Sequence, residues 1–151
     1  MRICRTAVTG MLEHARDELP NECCGFLLGT SDRIEQVTRA TNLTPRPSWY
    51  EVDPRDHFAV IRRSRREGRI VVGVYHSHPN APAIPSASDL KRATYAEYLY
   101  VIVSLMAEPA ADEIRAYRLI RQQFERVDLV TSVTSEPVAD RLRKQARETH
   151  P

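Results

Sequence analysis

The chain has 151 residues, enough for one domain of ordinary size with its own core. Hydrophobic residues make up 42% and charged residues 28%, the balance of a soluble globular domain. A formal charge of +2 gives no field that argues for nucleic acid or a membrane surface as partner.

In chain order, residues 5–18 place Val8, Met11, Leu12 and Ala15 at three- and four-residue spacing, which predicts an amphipathic helix ended by Pro20. Gly25–Gly29 is a short apolar run, read as a buried strand, and Arg33–Ala40 alternates imperfectly and is read as a second strand. Thr41–Ser48 carries Asn42, Pro45 and Pro47 and reads as a loop, followed by a brief strand at Trp49–Val52. Asp53-Pro54 is a helix start, with Asp as N-cap and Pro at the first position, and the helix runs to Glu67 and stops at Gly68. Ile70–Tyr75 is an apolar strand, and Ser77–Pro85 is a proline-rich loop. A helix begins at Ser86 or Ser88 and reaches about Glu97. Tyr98–Leu105 is strongly apolar and is placed at the centre of a sheet. A turn at Glu108–Asp112 then leads to strands Glu113–Ile120 and Phe124–Val130, joined by a turn near Gln122 and Gln123. Strands and helices are mixed without strict alternation, so the fold class is α+β, a curved mixed sheet flanked by helices. One domain is expected over residues 1–134; residues 135–151 are polar, a tail or short terminal helix.

The three cysteines, Cys4, Cys23 and Cys24, are odd in number and two are adjacent, which argues against a disulfide framework. The N-terminal segment is charged throughout and lacks the apolar stretch of about 7–15 residues of a secretory signal. No run reaches the roughly 20 apolar residues that would span a bilayer. The expected setting is therefore the cytoplasm, with reduced thiols.

The most informative segment is His76-Ser77-His78-Pro79 followed by Ser86 and Asp89, that is, His-x-His-x(7)-Ser-x-x-Asp. Two imidazoles and a carboxylate are ligands that zinc prefers, and a catalytic zinc keeps its fourth position for water. On a strand, residues two apart face the same way, so both rings can reach one ion. Asp89 opens the next helix and can return its carboxylate as a third ligand. A bland reading competes: Ser86-x-x-Asp89 also looks like a capping box. That accounts for the Ser and the Asp and leaves both histidines unexplained. Amide hydrolysis would further need a carboxylate beside the metal as base. The residues alone leave Glu22, Asp53, Glu67 and Glu97 open for that role.

On these residues the chain resembles the JAMM (MPN+) zinc metallopeptidases, whose signature is a distant Glu and then His-x-His-x(7)-Ser-x-x-Asp. Pro20-Asn21-Glu22-Cys23-Cys24-Gly25 is similar to the family's Pro-x-Glu-x-Cys-Gly block, and the likeness extends from about Met11 to about Arg121. The resemblance implies an MPN, cytidine-deaminase-like fold. It further implies one zinc per chain on His76, His78 and Asp89, with Glu22 as catalytic base and Ser86 as donor to the oxyanion. The chain looks like the short bacterial branch, similar to peptidases that act at the C-terminus of a ubiquitin-like sulfur-carrier protein, releasing cysteine in one case. A protein partner of that kind is thus implied. The alternative within the family is an MPN scaffold that binds a partner with little catalysis; such members lack the ligands present here. A zinc deaminase would show His-x-Glu with Pro-Cys-x-x-Cys, which this chain does not have. His14, His57 and His150 are read as exposed or partly buried helix and tail residues. The arginines at 62, 63, 65, 66 and 69 are read as a solvated helix face.

Overall fold

The computed structural model describes residues 1–106 and 113–132. The turn expected at Glu108–Asp112 and the tail from Ser135 lie outside them. The elements are β1 (Arg2–Cys4), α1 (Arg5–Asp17), β2 (Cys24–Thr30), β3 (Arg33–Ala40), α2 (Pro54–Arg66), β4 (Ile70–His78), α3 (Ala87–Arg92), β5 (Leu99–Ser104), β6 (Glu113–Ile120), β7 (Gln123–Val127) and β8 (Val130–Ser132). The strands form one sheet in the order β7-β6-β5-β4-β2-β3-β1-β8. It is mixed: β4 pairs β5 in parallel and β1 pairs both β3 and β8 in parallel, while the other neighbours are antiparallel.

The sheet has to curl. β7 and β8 occupy opposite edges, yet only Asp128 and Leu129 separate them in the chain. Three Cα steps reach at most about 11 Å, so the two edges lie close together. The N-terminal amine of Met1 donates to the Asp128 carbonyl at 3.0 Å, and the Val130 amide donates to the Met1 carbonyl at 3.0 Å, tying that seam. The single strand expected over Phe124–Val130 is thereby split in two, because the chain changes sheet edge at residues 128–129.

Helix α1 packs on one face of the curled sheet. Ala7, Met11 and Ala15 are buried against Leu27, Ile34, Tyr75, Val101, Val103 and Ala116, with Val127 and Leu129 closing the cluster. Fully burying side chains such as Met11 or Leu27 stabilises by about 1.5–3 kcal/mol each. The other face carries Phe26, Leu28 and Val74 beneath Val60 of α2. Beside them, Tyr100, Ile102 and Tyr117 pack against Ala83 of the proline-rich loop. Asp53 caps α2 as expected, its Oδ1 accepting from the Arg55 amide at 2.8 Å, and Gly68 follows the helix with a φ of 65°.

Three expectations need correction. Trp49–Val52 forms no strand; its backbone makes only isolated bridges, Asn42 to Val52 and Arg46 to Trp49, and the Asn42 side chain organises the loop by accepting from the amides of Thr44 and Glu51. Helix α3 stops at Arg92 instead of Glu97. The amide and carbonyl of Tyr95 both bond to the Tyr100 hydroxyl of β5, which holds the chain in a turn there. The loop begins after His78 instead of at Ser77: strand β4 carries the histidine pair, as expected, and takes in Ser77 and His78 because β5 pairs with it as far as His78. Among the described residues no helix is long and apolar enough to cross a membrane.

Candidate metal centre

Alternation along β4 sorts its side chains. Tyr75 joins the cluster under α1, whereas Val74 belongs to the α2 face. His76 and His78 share the parity of Val74 and so stand on the α2 face. Asp89 reaches them from the first turn of α3. The ligating atoms of His76, His78 and Asp89 lie within 4.8 Å of one another and all three residues are buried. The two Nε2 atoms are 3.1 Å apart; His76 Nε2 is 3.3 Å from Asp89 Oδ1 and His78 Nε2 is 3.4 Å from Asp89 Oδ2.

These residues fit a zinc ion. His78 Nδ1 is 2.8 Å from the Pro82 carbonyl, a bond in which Nδ1–H donates and Nε2 keeps its lone pair for a metal. Two nitrogen lone pairs and a carboxylate turned toward one point repel each other and are satisfied by a shared cation. Burial drives the pKa of His76 down, toward the neutral ring that a metal needs. Burial also opposes charge on His78, but Asp89 and the Pro82 carbonyl outweigh it and raise its pKa. Burial alone would raise Asp89; hydrogen bonds from His76, His78 and Ser86 hold it well below the usual carboxylate range.

Glu22 lies just before β2, and the antiparallel register continues to it. Cys24 is paired with His76, and the Ser77 amide donates to the Cys23 carbonyl at 3.1 Å, so Glu22 falls opposite His78. Its backbone is held at both ends: its amide donates to the Arg46 carbonyl at 3.0 Å and its carbonyl accepts from Asn42 Nδ2 at 3.0 Å. Its side chain is 5% exposed, and Oε2 has no hydrogen-bond partner. Burial, with a smaller push from Asp89, raises its pKa to about 7 against the pull of His78. The other carboxylates left open by the sequence are engaged or remote. Asp53 pairs with Arg55, Glu67 pairs with Arg63 and Arg69, and Glu97 is exposed.

Ser86 does form the capping box. Its Oγ accepts from the Asp89 amide, and Asp89 returns a bond to the Ser86 amide. It also borders a cleft of about 500 Å³ shared with Glu22, His78, Ser88, Pro47 and Ser48. A second cavity, of about 300 Å³, is lined by Phe26, Tyr50, His57, Arg92 and Tyr95 and includes none of the three clustered residues.

Cys24 is on the site's face, but burial pushes its thiol up to about 12, so it serves as a small apolar filler. His14 departs from expectation: it is buried and bonded to Tyr75, not exposed. His57 is partly buried under Phe26 and Tyr98, as expected, and His150 lies outside the described residues. On α2, Arg62, Arg65 and Arg66 face solvent, as expected, and Arg63 pairs with Glu67; Arg69 departs from the expectation, lying past the helix and partly buried because it pairs with Glu35 and Glu67.

Three neighbours of the cluster were not picked out from the sequence: Pro82, Tyr50 and Arg92. The Tyr50 ring stacks on His76 with centroids 4.6 Å apart. Arg92 donates to Asp89 Oδ1 at 3.0 Å and to the Tyr50 carbonyl at 2.9 Å. Only Arg92 left a trace in the sequence, through its i+3 spacing from Asp89 on one helix face.

The chain is similar to several known proteins. A CysO-cysteine peptidase of Mycobacterium tuberculosis is 36% identical over 133 residues, covering 87% of this chain and 84% of that protein. A probable TtuB-protein conjugate cleaving protease of Thermus thermophilus is 34% identical over 115 residues, covering 73% of this chain and 72% of that protein. A solution structure from Desulfitobacterium hafniense superposes with a TM-score of 0.82 at 32% identity, covering 90% of this chain and 96% of that one. The curled mixed sheet is the fold of JAB1/MPN-domain proteins, as the resemblance implied. With the model of the prokaryotic homologs of the JAB domain (Prok-JAB) matching residues 5–120, the chain belongs to that family.

Proposed function

We propose that the chain is a zinc-dependent peptidase that hydrolyses an amide bond at the C-terminus of a small ubiquitin-like sulfur-carrier protein, acting in the cytoplasm with one zinc per chain. The observation that carries this reading is the meeting of two features. Three buried ligands, His76, His78 and Asp89, converge, and a buried carboxylate without a hydrogen-bond partner, Glu22, shares a cleft with His78 and Ser86. The names of the mycobacterial and Thermus relatives support the substrate class, one referring to a carrier's cysteine and the other to a carrier–protein conjugate. The buried cysteines Cys4, Cys23 and Cys24 form no disulfide, which suits a reducing compartment.

In this reading His76, His78 and Asp89 hold the zinc, which when bound supplies Lewis-acid activation of the attacking water and the scissile carbonyl. Glu22 takes a proton from the water and delivers it to the leaving amine. Its burial and its unpartnered Oε2 leave a lone pair available for that proton. Ser86 offers its hydroxyl to the negative charge that develops on the carbonyl oxygen, where a fixed donor stabilises the transition state more than the substrate.

The test is incubation with a carrier protein bearing one extra C-terminal residue, read by mass spectrometry. The expected result is loss of that residue by the zinc-loaded protein and its retention after chelation or in Glu22→Gln. Protein that binds no zinc, or hydrolysis indifferent to chelation, would overturn the proposal.

A further inference from the structure

Arg92 bridges two parts of the chain that the sequence does not connect. From the last residue of α3, Nη2 donates to Asp89 Oδ1 at 3.0 Å and Nη1 donates to the Tyr50 carbonyl at 2.9 Å. Its guanidinium lies 4.2 Å from the centroid of the Trp49 ring and 4.5 Å from that of Tyr50. Tyr50 in turn covers the ring of His76. The same loop supplies Pro47 and Ser48 to the wall of the cleft. One side chain thus touches a ligand carboxylate, the ring that roofs a ligand histidine and the loop that walls the cleft.

The hydrogen bonds on Asp89 give this bridge a consequence. A carboxylate offers about four lone-pair sites. Oδ2 accepts from both the amide and the hydroxyl of Ser86, each at 2.7 Å, which makes it the more engaged of the two oxygens. Oδ1 accepts from Arg92 and retains one site. Arg92 therefore fixes the rotation of the oxygen that is still free to bind an ion. Its charge works the other way, since a cation beside the ligands opposes a second cation. Geometry outweighs charge here if the planar fork, which sets two bonds at once, matters more than a positive charge at that place.

We infer that Arg92 is a positioning residue: it orients Asp89 for the metal and couples the Trp49-Tyr50 loop to the metal centre. The inference rests on the metal reading proposed above and adds a residue to it.

The experiment measures zinc affinity by competition with a chromophoric chelator for the wild type, Arg92→Gln and Arg92→Lys. It is joined by the cobalt(II) absorption spectrum, Trp49 emission and melting in excess chelator. Trp49 is the single tryptophan of the chain, so its emission reports on the guanidinium stacked against it. Arg92→Gln should weaken zinc by about 10–100-fold, as loss of a partner behind a ligand does, and should alter the cobalt spectrum and shift Trp49 emission. Arg92→Lys keeps the charge without the fork and should recover only a small part of the loss. A role as a loop staple alone predicts a lower melting temperature in chelator with unchanged zinc affinity and cobalt spectrum, and that result overturns the inference. Should Arg92→Gln fail to fold, Arg92→Lys carries the test, and wild-type zinc affinity there overturns it equally. A wild type that binds no zinc sinks the metal reading itself, a failure separate from equal affinities in wild type and variants.

Discussion

Ser86 and Asp89 hold each other from both sides of the first turn of α3. The Asp89 amide donates to Ser86 Oγ at 3.1 Å, while the Ser86 amide and hydroxyl both donate to Asp89 Oδ2 at 2.7 Å. A helix cap and a strut behind a metal ligand are here the same side chain. Ser86→Ala should lose about 1 kcal/mol of folding stability as a cap. If the hydroxyl also serves the oxyanion, kcat should fall by roughly 10²–10³-fold with little change in substrate affinity. Melts and kinetics on the same preparation separate the two. A lowered melting temperature with normal kcat would remove the catalytic role and leave the cap.

Glu22→Gln should trade activity for stability. The carboxyl titrates near 7 in the fold against an ordinary value of 4.5. Between those values the folded state binds more protons than the unfolded one, so stability falls as pH rises from about 4.5 to 7, and the cost persists above that. The burden is on the order of 2 kcal/mol after allowance for solvent screening. In chelator, Glu22→Gln should therefore melt higher than wild type at pH 8, and the gap should close near pH 4. Loaded with zinc, it should retain the metal and lose at least about 100-fold in hydrolysis, because an amide cannot carry the proton. Equal melting at pH 8 would show that Glu22 is not desolvated, and undiminished hydrolysis would move the base elsewhere.

The candidate cluster was legible because each of its parts is local. His76 and His78 share a strand face by parity, and Asp89 sits three residues past a capping serine. Glu22 could be singled out in the same way: it shares parity with Phe26 and Leu28, and the pairing of β2 with β4 runs to Cys24 and His76, with one further backbone bond from Ser77 to Cys23. What could not be read depends on contacts distant in sequence. Arg92 bonds the Tyr50 carbonyl across 42 residues, and no periodicity reports that. The Trp49–Val52 segment has strand composition, but its loop is organised by the Asn42 side chain and carries no ladder. A curved sheet was expected, but that its curl brings the opposite edges β7 and β8 together depends on the crossing at Asp128 and Leu129, which no periodicity reports.

His14 gives a pH dependence independent of the metal. It is buried on α1, with Nδ1 2.8 Å from the Tyr75 hydroxyl, and burial lowers its pKa from 6.5 to about 4. Between these values the unfolded chain binds the extra proton, so stability rises with pH. The neutral ring's contribution is complete above about 6.5 and is lost as pH falls toward 4. It amounts to roughly 2 kcal/mol once solvent screening is allowed for. His14→Gln keeps a partner for Tyr75 without titrating there. The wild-type stability minus that of His14→Gln, measured by urea unfolding in chelator, should increase from pH 4 to 6.5 and then level off. The subtraction cancels the opposite slope from Glu22; a flat difference would mean that His14 is not desolvated.

Gly73 tests the platform under the metal centre. A Cβ at this position would stand 1.9 Å from the Leu99 carbonyl oxygen and 2.7 Å from the Leu99 carbonyl carbon and nitrogen. These are backbone atoms of the neighbouring strand and cannot rotate away. Gly73→Ala must push β4 and β5 apart where their parallel pairing begins. His76 and His78 stand three and five residues further along the same strand, so the displacement reaches the ligands. The expected cost is about 2–3 kcal/mol of stability, the scale of a forced overpacking, together with weaker zinc binding. Gly68→Ala provides the contrast. Its φ of 65° disfavours a side chain, but nothing lies within 4 Å of the added carbon, so only about 1 kcal/mol should be lost and zinc affinity should not change. Melting and zinc competition on both variants make the comparison. If Gly73→Ala behaves like Gly68→Ala, β4 and β5 do not approach at residue 73 as closely as described, and the histidines owe their placement to the proline-rich loop and α3 rather than to the strand pair beneath them.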